Sequence, residues 1–160
     1  MSLKIRKCKK DDLPQVLDLI KELAAFEKEP DAVEVTLEEL EKEGFGTHPL
    51  YECIVAEIDN KVVGMALFYF RFSTWKGRSL HLEDLIVKQN FRAKGIGNAL
   101  YRAFLNYCNE KEVRRAEWVV LDWNQNAIDF YEKSGAKLLK DWYLVQMDAE
   151  SIRNFEATKK

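Results

Sequence analysis

The spacing of apolar residues along the chain changes repeatedly between the period of a strand and the period of a helix. Alternation of apolar and polar residues predicts strands, whereas apolar residues three and four positions apart predict helices with one buried face. The predicted strands cover 3–7, 51–58, 62–72, 80–87 and 116–120, with closing strands at 138–139 and 143–147. The predicted helices cover 13–26, 36–44, 96–108 and 124–135.

Capping and turn residues support several of these boundaries. Asp11-Asp12 precedes Pro14 and is expected to cap the first helix, and Thr36 with Glu39 forms a capping box for the second. Asp59-Asn60 is typical of a two-residue hairpin turn, which predicts antiparallel pairing of the strands on either side. The order of elements indicates an α+β fold centred on one sheet.

Length and composition indicate one globular domain over 1–160, because 160 residues with 47% hydrophobic content supply one buried core. Subtracting 27 acidic from 25 basic residues leaves a net charge of −2, which argues against nucleic acid or anionic lipid as a partner. The longest apolar run, Val62–Phe70, is far shorter than the about 20 residues of a spanning helix. Basic residues stand near the N-terminus where a secretory signal would be apolar, so we expect a cytoplasmic protein.

The cysteines and histidines do not form a recognisable metal or disulfide pattern. Cys8, Cys53 and Cys108 are odd in number, lie far apart and include no C-x-x-C pair. His48 and His81 are too few and too scattered for a metal centre. We therefore expect neither a disulfide framework nor a metal site.

The segment Arg92-Ala93-Lys94-Gly95-Ile96-Gly97 lies between a predicted strand and the start of the long helix. Glycines allow backbone N–H groups to close on a ligand, and a helix N-terminus attracts anions, so the segment predicts a diphosphate site. Arg92 and Lys94 add cationic donors. The alternatives are a solvated turn and a dinucleotide fingerprint, for which Glu117 has a suitable spacing but Leu100 replaces the third glycine.

Arg92-x-x-Gly95-x-Gly97 at the start of a helix resembles the coenzyme A loop of the GCN5-related N-acetyltransferase (GNAT) superfamily. A narrower resemblance is to its diamine (spermidine/spermine) N-acetyltransferase branch. It is carried by Ile20-Lys21-Glu22-Leu23-Ala24, Gly44-Phe45-Gly46, His48-Pro49, Leu82-Glu83-Asp84 and Asn124-Gln125. Within that branch, the thialysine N-epsilon-acetyltransferase members are most similar in Phe26-Glu27-Lys28, Ser73-Thr74-Trp75-Lys76-Gly77-Arg78 and Leu121-Asp122-Trp123-Asn124-Gln125.

The resemblance implies a GNAT fold, with a mixed and mostly antiparallel sheet flanked by helices, and acetyl-CoA as cosubstrate without a metal. It implies that Leu85-Ile86-Val87 pairs with the pantetheine arm, that the loop of residues 92–97 binds the diphosphate, and that Asn124 and Tyr131 also contact the coenzyme. By the same resemblance Tyr131 supplies a proton to the leaving thiolate, and Glu83 is the general base acting through water. A homodimer is implied on the same ground.

A cationic acceptor is expected because acidic residues flank the predicted site. Glu83-Asp84 are neighbours on a strand, so one is expected to face the substrate while the other points away. The resemblance favours Glu27 as a substrate contact, and Trp75 can either stack on the amine or cover the core edge. Where polyamine enzymes carry Asp-Pro this chain has Ser73-Thr74, and where they carry acids it ends in Ala157-Thr158-Lys159-Lys160.

These departures favour a thialysine-like or lysine-like amine over spermidine as the acceptor. The alternatives are a spermidine/spermine N-acetyltransferase and, from another class, a non-catalytic acyl-CoA-binding sensor. A dinucleotide-binding module is a third reading, and it predicts NAD as the ligand.

Overall fold

The computed structural model describes residues 2–155, and the chain divides into two compact units on either side of Val119/Val120. The first unit contains α1 (Leu13–Phe26), α2 (Leu37–Phe45), α3 (Ile96–Glu110) and the strands β1 (Leu3–Lys7), β2 (Glu52–Ile58), β3 (Lys61–Ser73), β4 (Gly77–Val87) and β5 (Ala116–Glu117). The second unit contains α4 (Gln125–Lys133) and α5 (Ala149–Asn154).

In the described residues the sheet has the order β1-β2-β3-β4-β5. The first four strands pair antiparallel, and β5 runs parallel to β4. This arrangement confirms the predicted α+β class with a mixed, mostly antiparallel sheet. Between residues 2 and 155, no helix is long and apolar enough to span a membrane.

Both faces of this sheet are covered. On one face, apolar residues of α1 such as Val16 and Leu19 are fully buried in a cluster with Met65 of β3. On the other face, the ring of Phe68 lies 5.1 Å from that of Phe104 in α3. Alternating side chains of β3 therefore serve two cores, which explains why this strand is an almost continuous apolar run.

The hairpin turn and the second helix form as the sequence predicts. Asp59 and Asn60 have φ values of 50° and 62°, which is the conformation that a tight hairpin turn requires at both central positions. Thr36 accepts a hydrogen bond from the backbone of Glu39, whose carboxylate accepts one from the backbone of Thr36. The helix runs to Phe45, one residue beyond the predicted stop at Gly44.

The predicted cap of α1 is wrong, because the carboxylate of Asp12 is used elsewhere. It accepts hydrogen bonds from Arg6 at 2.7 and 3.0 Å and from the backbone N–H of Lys9 at 2.7 Å. Arg6 also pairs with Glu57 at 2.6 Å. Burial of Asp12 is thus compensated by a cation, and its pKa is held below the ordinary value, with the hydrogen bond from Arg6 as the largest cause.

Two cysteines that are far apart in sequence are neighbours in the sheet. The backbone N–H of Cys8, which follows β1, donates to the carbonyl of Cys53 at 2.8 Å. Both side chains are buried, and both thiols are free, as is that of Cys108. The wide separation in sequence gave no hint of this contact.

The predicted closing strands at 138–139 and 143–147 are wrong, since neither segment is a strand in the structure. Tyr143 and Val145 favour extended backbone, but a strand needs a hydrogen-bonding neighbour, and the second unit has no strand in the described range. Tyr143 is 92% exposed and Val145 86% exposed. The sequence pattern also missed α5, which begins where Asp148 accepts a hydrogen bond from the backbone of Ser151.

Candidate active site

A β-bulge in β4 sets the geometry of the acidic pair. Along β3, Phe68 lies opposite Leu82, but the next residue, Leu67, lies opposite Asp84, so that Glu83 is the extra residue. A bulge of this kind places two residues of one strand opposite a single residue of its partner and re-aims a side chain.

The bulge puts Glu83 and Asp84 on the same face of the sheet. Asp84 shares the face of its partner Leu67, which packs into the core on the α1 side. Glu83 follows Leu82, which belongs to the opposite face, so Glu83 also points toward α1. The expectation that one of the pair points away is therefore wrong, because regular alternation is interrupted between them.

Glu27 joins this pair from the C-terminal end of α1. Burial first, and then the charge of Glu83, raises the pKa of Glu27 above its ordinary value. Burial is likewise the main cause that raises the pKa of Asp84 to about 7, followed by the charges of Glu83 and Glu27. We call Glu27, Glu83 and Asp84 the acidic cluster. In the described part of the chain, none of its carboxylates forms an ion pair with a lysine or arginine.

Two polar side chains lie against one oxygen of Glu83. The hydroxyl of Tyr69 donates to Oε2 at 2.9 Å, and Nε2 of His81 lies 3.3 Å from the same atom. The bond from His81 is the largest cause that holds the pKa of Glu83 below its ordinary value, and the bond from Tyr69 acts in the same direction. Burial and the bond to Glu83 raise the pKa of Tyr69 to about 12, so the phenol stays a donor.

Arg71 fixes the tautomer of His81. Its Nη1 lies 3.2 Å from Nδ1 of His81, and a guanidinium group can only donate. Nδ1 must therefore accept, and the ring proton is on Nε2, where it donates to Glu83. Arg71 is held in turn by Glu117 at 2.8 Å. We call Arg71, His81, Glu83 and Tyr69 the polar row.

Most of this row was not predicted from the sequence. Tyr69 and His81 lie opposite each other on β3 and β4, and their rings are 5.2 Å apart. The available signal was that His81 precedes Glu83 by two positions on a predicted strand, so that both share one face. The partners on β3 require the register, which the sequence alone did not provide.

Asp84 contrasts with Glu83 because its carboxylate has no hydrogen bond or ion pair within residues 2–155. It is mostly buried, yet only like charges lie nearby. A carboxyl group in this situation is easily protonated, and a pKa of about 7 allows it to gain and lose a proton near neutral pH.

The loop of residues 92–97 has a backbone suited to an anion. Ala93 and Gly95 have φ values of 60° and 79°, and left-handed residues of this kind turn successive N–H groups toward one concave surface. The N–H groups of the first turn of α3 have no acceptor within the helix. A Cβ at Gly95 would meet nothing within 4 Å, so the space beside this glycine is open.

The two cations of this loop have different surroundings. Arg92 is turned back: its Nε donates to the carbonyl of Val87 at 2.9 Å, and its guanidinium lies 3.7 Å from Glu22 and over the ring of Phe26. Lys94 is exposed and reaches the carbonyl of Asn90 at 3.4 Å. Arg92 thus holds the loop on β4 and α1, while Lys94 remains near the loop surface.

One edge of β4 has no strand beside it over residues 82–87 in the described structure. β5 pairs with β4 only at Leu80↔Ala116 and His81↔Glu117, while β3 covers the other edge along its whole length. Leu85, Ile86 and Val87 therefore present backbone groups at this open edge, directly before the loop.

The remaining predicted residues lie in the β3–β4 turn, in the second unit and in the tail. Trp75 is 76% exposed at the turn, where Ser73 accepts hydrogen bonds from the backbones of Trp75 and Lys76. Asn124 caps α4 by accepting from Ala127 at 3.3 Å, as predicted, and Tyr131 lies two turns further along that helix. The tail 157–160 lies outside the described residues.

The described residues contain no group of histidine, cysteine and acidic side chains that is arranged to hold a metal ion. The first unit thus contains a loop with a backbone suited to an anion, an open strand edge and the acidic cluster.

Comparisons with known proteins identify the class of protein. The model described as "Acetyltransferase (GNAT) family" matches residues 13–136. The chain belongs to the GNAT acetyltransferase family and is an N-acetyltransferase, as the resemblance predicted.

Individual proteins similar to this chain include named acetyltransferases and one solved structure. The chain is 39% identical over 160 residues to the thialysine N-epsilon-acetyltransferase of Bos taurus, with 93% of this chain and 94% of that protein covered. It is 34% identical to the spermidine/spermine N(1)-acetyltransferase-like protein 1 of Homo sapiens, covering 92% of this chain and 23% of that protein. An integron cassette protein from the mobile metagenome of V. cholerae has a TM-score of 0.78 at 24% identity, with 100% and 99% of the two chains covered, which supports the fold alone.

Proposed function

We propose that this enzyme transfers the acetyl group of acetyl-CoA to the side-chain amine of a small cationic acceptor, with thialysine-like or lysine-like amines ahead of spermidine. The observation that carries the proposal is the acidic cluster. Glu27, Glu83 and Asp84 lie together next to the open edge of β4, and no lysine or arginine of the described chain neutralises them. An ammonium group is the natural counter-charge for such a cluster.

The loop of residues 92–97 is proposed to hold the coenzyme diphosphate through its backbone N–H groups, with Arg92 and Lys94 adding charge. The Nε of Arg92 also holds the loop in place through its hydrogen bond to the carbonyl of Val87. The open edge over Leu85-Ile86-Val87 is proposed to pair with the amide groups of the pantetheine arm. The bound cosubstrate would supply the activated acetyl thioester.

The acceptor amine must lose a proton before it can attack. A lysine-like amine with a pKa of about 10.4 is almost fully protonated near neutral pH. A carboxylate of the acidic cluster is proposed to accept this proton, and Tyr131 is proposed to supply one to the departing thiolate. Asn124 is proposed to contact the coenzyme from the same helix as Tyr131.

The proposed acceptor is supported by the charge of the site and by the name of a similar protein. Each ammonium group of a polyamine needs an acidic partner, because desolvating an unpaired charge is costly. Glu27, Glu83 and Asp84 are gathered at one place, which suits one side-chain ammonium group. The hydroxyl groups of Ser73 and Thr74 and the cation of Lys76 are candidates for the carboxylate of an amino-acid acceptor. The Bos taurus relative bears the thialysine name, which agrees with this choice.

A panel of amines tests the proposal. The purified protein is given acetyl-CoA with thialysine, lysine, short diamines or spermidine, and the release of free thiol is followed. We expect kcat/KM to be highest for thialysine, lower for lysine or short diamines, and lowest for spermidine. Thialysine should exceed lysine because its sulfur lowers the pKa of the amine and raises the neutral fraction. Spermidine as the best substrate by a wide margin would establish the polyamine alternative instead.

Two further outcomes would refute the proposal. Binding of acetyl-CoA without thiol release for any amine would indicate a sensor, and binding of NAD rather than acetyl-CoA would indicate a dinucleotide module. The homodimer implied by the family resemblance is part of the proposal, and sedimentation equilibrium of the full chain tests it.

A further inference from the structure

The neighbouring carboxylates of Glu83 and Asp84 share a face of the sheet but have opposite surroundings. We propose that Asp84 accepts the proton of the acceptor's ammonium group, while Glu83 remains an anion and holds that group by its charge. This inference rests on the proposed acetyl transfer and reverses the role that the resemblance gives to Glu83.

Glu83 is built to stay ionised. Its Oε2 accepts a hydrogen bond from the hydroxyl of Tyr69 at 2.9 Å and lies 3.3 Å from Nε2 of His81. Protonating the carboxylate would weaken both bonds, so the two donors favour the charged form. A carboxylate held in this way is a poor proton acceptor and a well-placed fixed charge.

The polar row ensures that His81 acts as a donor. Because Arg71 donates to Nδ1 at 3.2 Å, the ring must offer its proton from Nε2 toward Glu83. If the tautomer were reversed, Nε2 would present a lone pair to the carboxylate and repel it. Arg71 and His81 are therefore positioning residues, which act through Glu83 rather than on the substrate.

Asp84 is surrounded only by groups that disfavour its charge. Glu27 faces it from α1, Glu83 from its own strand, and the side chains of Cys53 on β2 and Tyr69 on β3 also interact with it electrostatically. None of these is a cation. With no donor to stabilise the anion in the described residues, the pKa of Asp84 is raised to about 7, where a general base is most effective.

The proposed step balances as follows. An N–H bond of the ammonium group breaks, its proton passes to the carboxylate of Asp84, and the electron pair stays on nitrogen. That pair forms a C–N bond with the thioester carbonyl carbon, and the C–S bond breaks. A second nitrogen proton ends on the departing sulfur, and Asp84 releases its proton to solvent. The products are the N-acetyl amine, the free thiol and one proton.

Carboxyl titration tests the inference without any need for activity. Carbon-13 NMR of the full chain labelled at aspartate and glutamate carboxyl groups follows each titration, with Asp84→Asn and Glu83→Gln used for assignment. We expect Asp84 to titrate near pH 7 and Glu83 below its ordinary value of 4.5. Titration of Asp84 below Glu83 would overturn the inference even if the enzyme proves to be an acetyltransferase.

Kinetics with the best amine of the panel give a second test. We expect the acidic limb of kcat/KM in the unaltered enzyme to lie near pH 7. Asp84→Asn should lower kcat by roughly 10²–10⁴-fold, the usual contribution of a general base. Glu83→Gln should mainly raise KM and move the limb to lower pH, because it removes a negative neighbour of Asp84. A limb that remains near pH 7 in Asp84→Asn with unchanged kcat would overturn the assignment.

The positioning role of His81 is tested with a conservative variant. His81→Phe removes the donor and should raise KM about tenfold with little change in kcat, since the charge of Glu83 is no longer held in place. His81→Gln can accept from Arg71 and donate to Glu83, so it should restore KM. Equal effects of the two variants would show that the ring matters only for packing.

Glu29→Gln is the matched control for the loss of an acid. It removes an exposed carboxylate two residues from Glu27, and we expect the acidic limb of kcat/KM to stay unchanged.

Discussion

Asp12 and Asp84 are two poorly exposed aspartates of the first unit, and they have opposite fates. Asp12 binds both terminal nitrogens of Arg6 and a backbone N–H, and its pKa is lowered. Asp84 meets only other acids and its pKa is raised to about 7. The side chain is the same in both places, so the partners decide its chemistry. The paired aspartate holds β1 to the start of α1, whereas the other is left able to exchange a proton.

The largest effect should come from a change that touches neither aspartate. Gly97→Glu places a carboxylate among the N–H groups of the loop and should weaken acetyl-CoA binding more than about 100-fold, while leaving the titration of Asp84 unchanged. A Cβ at Gly97 meets only Val87, at 3.8 Å, so Gly97→Ala is the matched control that fits without a clash. Calorimetry with acetyl-CoA measures both variants, and equal affinity in Gly97→Glu and the unaltered protein would rule out the loop assignment.

Removing the cation of the paired aspartate should cost stability. Arg6→Met removes the arginine that pairs with both Asp12 and Glu57, and we expect a loss of about 3 kcal/mol in the free energy of unfolding in urea at neutral pH. Because the folded pKa of Asp12 is lowered, its contribution is present above the unfolded value of 3.8 and is lost as the pH falls through the folded value. A stability difference that is independent of pH would contradict the electrostatic account.

Removing the charge of Asp84 should increase the free energy of unfolding. A shift from 3.8 to about 7 corresponds to about 4 kcal/mol, and allowing for solvent screening we expect Asp84→Asn to gain about 2 kcal/mol at about pH 8. Because the folded pKa of Asp84 is raised, its contribution to stability is fully present below the unfolded value of 3.8 and is lost as the pH rises through the folded value of about 7. The gain should therefore shrink toward acid pH. A loss of stability at pH 8 would show that the Asp84 anion has a stabilising partner.

A smaller change should make the second aspartate resemble the first. Glu27→Lys replaces a like charge with a cation facing Asp84, which should lower the pKa of Asp84 and move the acidic limb of kcat/KM to lower pH. The KM for a cationic amine should rise about tenfold, since the added charge repels it. Glu27→Gln is the control for loss of the acid alone, with a smaller shift in the same direction. An unmoved limb in both variants would show that Glu27 does not act on Asp84.

The sequence predicted features that depend on neighbouring residues and missed those that depend on register. The capping box at Thr36, the turn at Asp59-Asn60 and the face of α3 all follow from local spacing. The bulge at Glu83 depends on how β3 and β4 pair, and no property of the pair Glu83-Asp84 marks it. Without the bulge, alternation predicted divergent carboxylates, so their mutual effect on pKa could not be foreseen.

The same distinction explains the errors at the two ends of the chain. Aspartate is a residue type that often caps helices, but the carboxylate of Asp12 is paired with Arg6 at 2.7 Å. The segment 143–147 has the composition of a strand, but pairing, which composition does not specify, is what makes a strand. The prediction that Asn124 caps α4 is confirmed, because an N-cap needs only a backbone N–H three residues further along the chain.

The left-handed conformation of Ala93 bears on how binding is divided between enthalpy and entropy. A non-glycine residue at a φ of 60° costs of order 1 kcal/mol, and folding meets this cost before any ligand arrives. The loop then loses little freedom on binding, because its N–H groups already face one surface. Ala93→Gly would remove the strain and also widen the range of loop conformations. Binding of the anion would become more unfavourable in entropy, even though no contact had been lost.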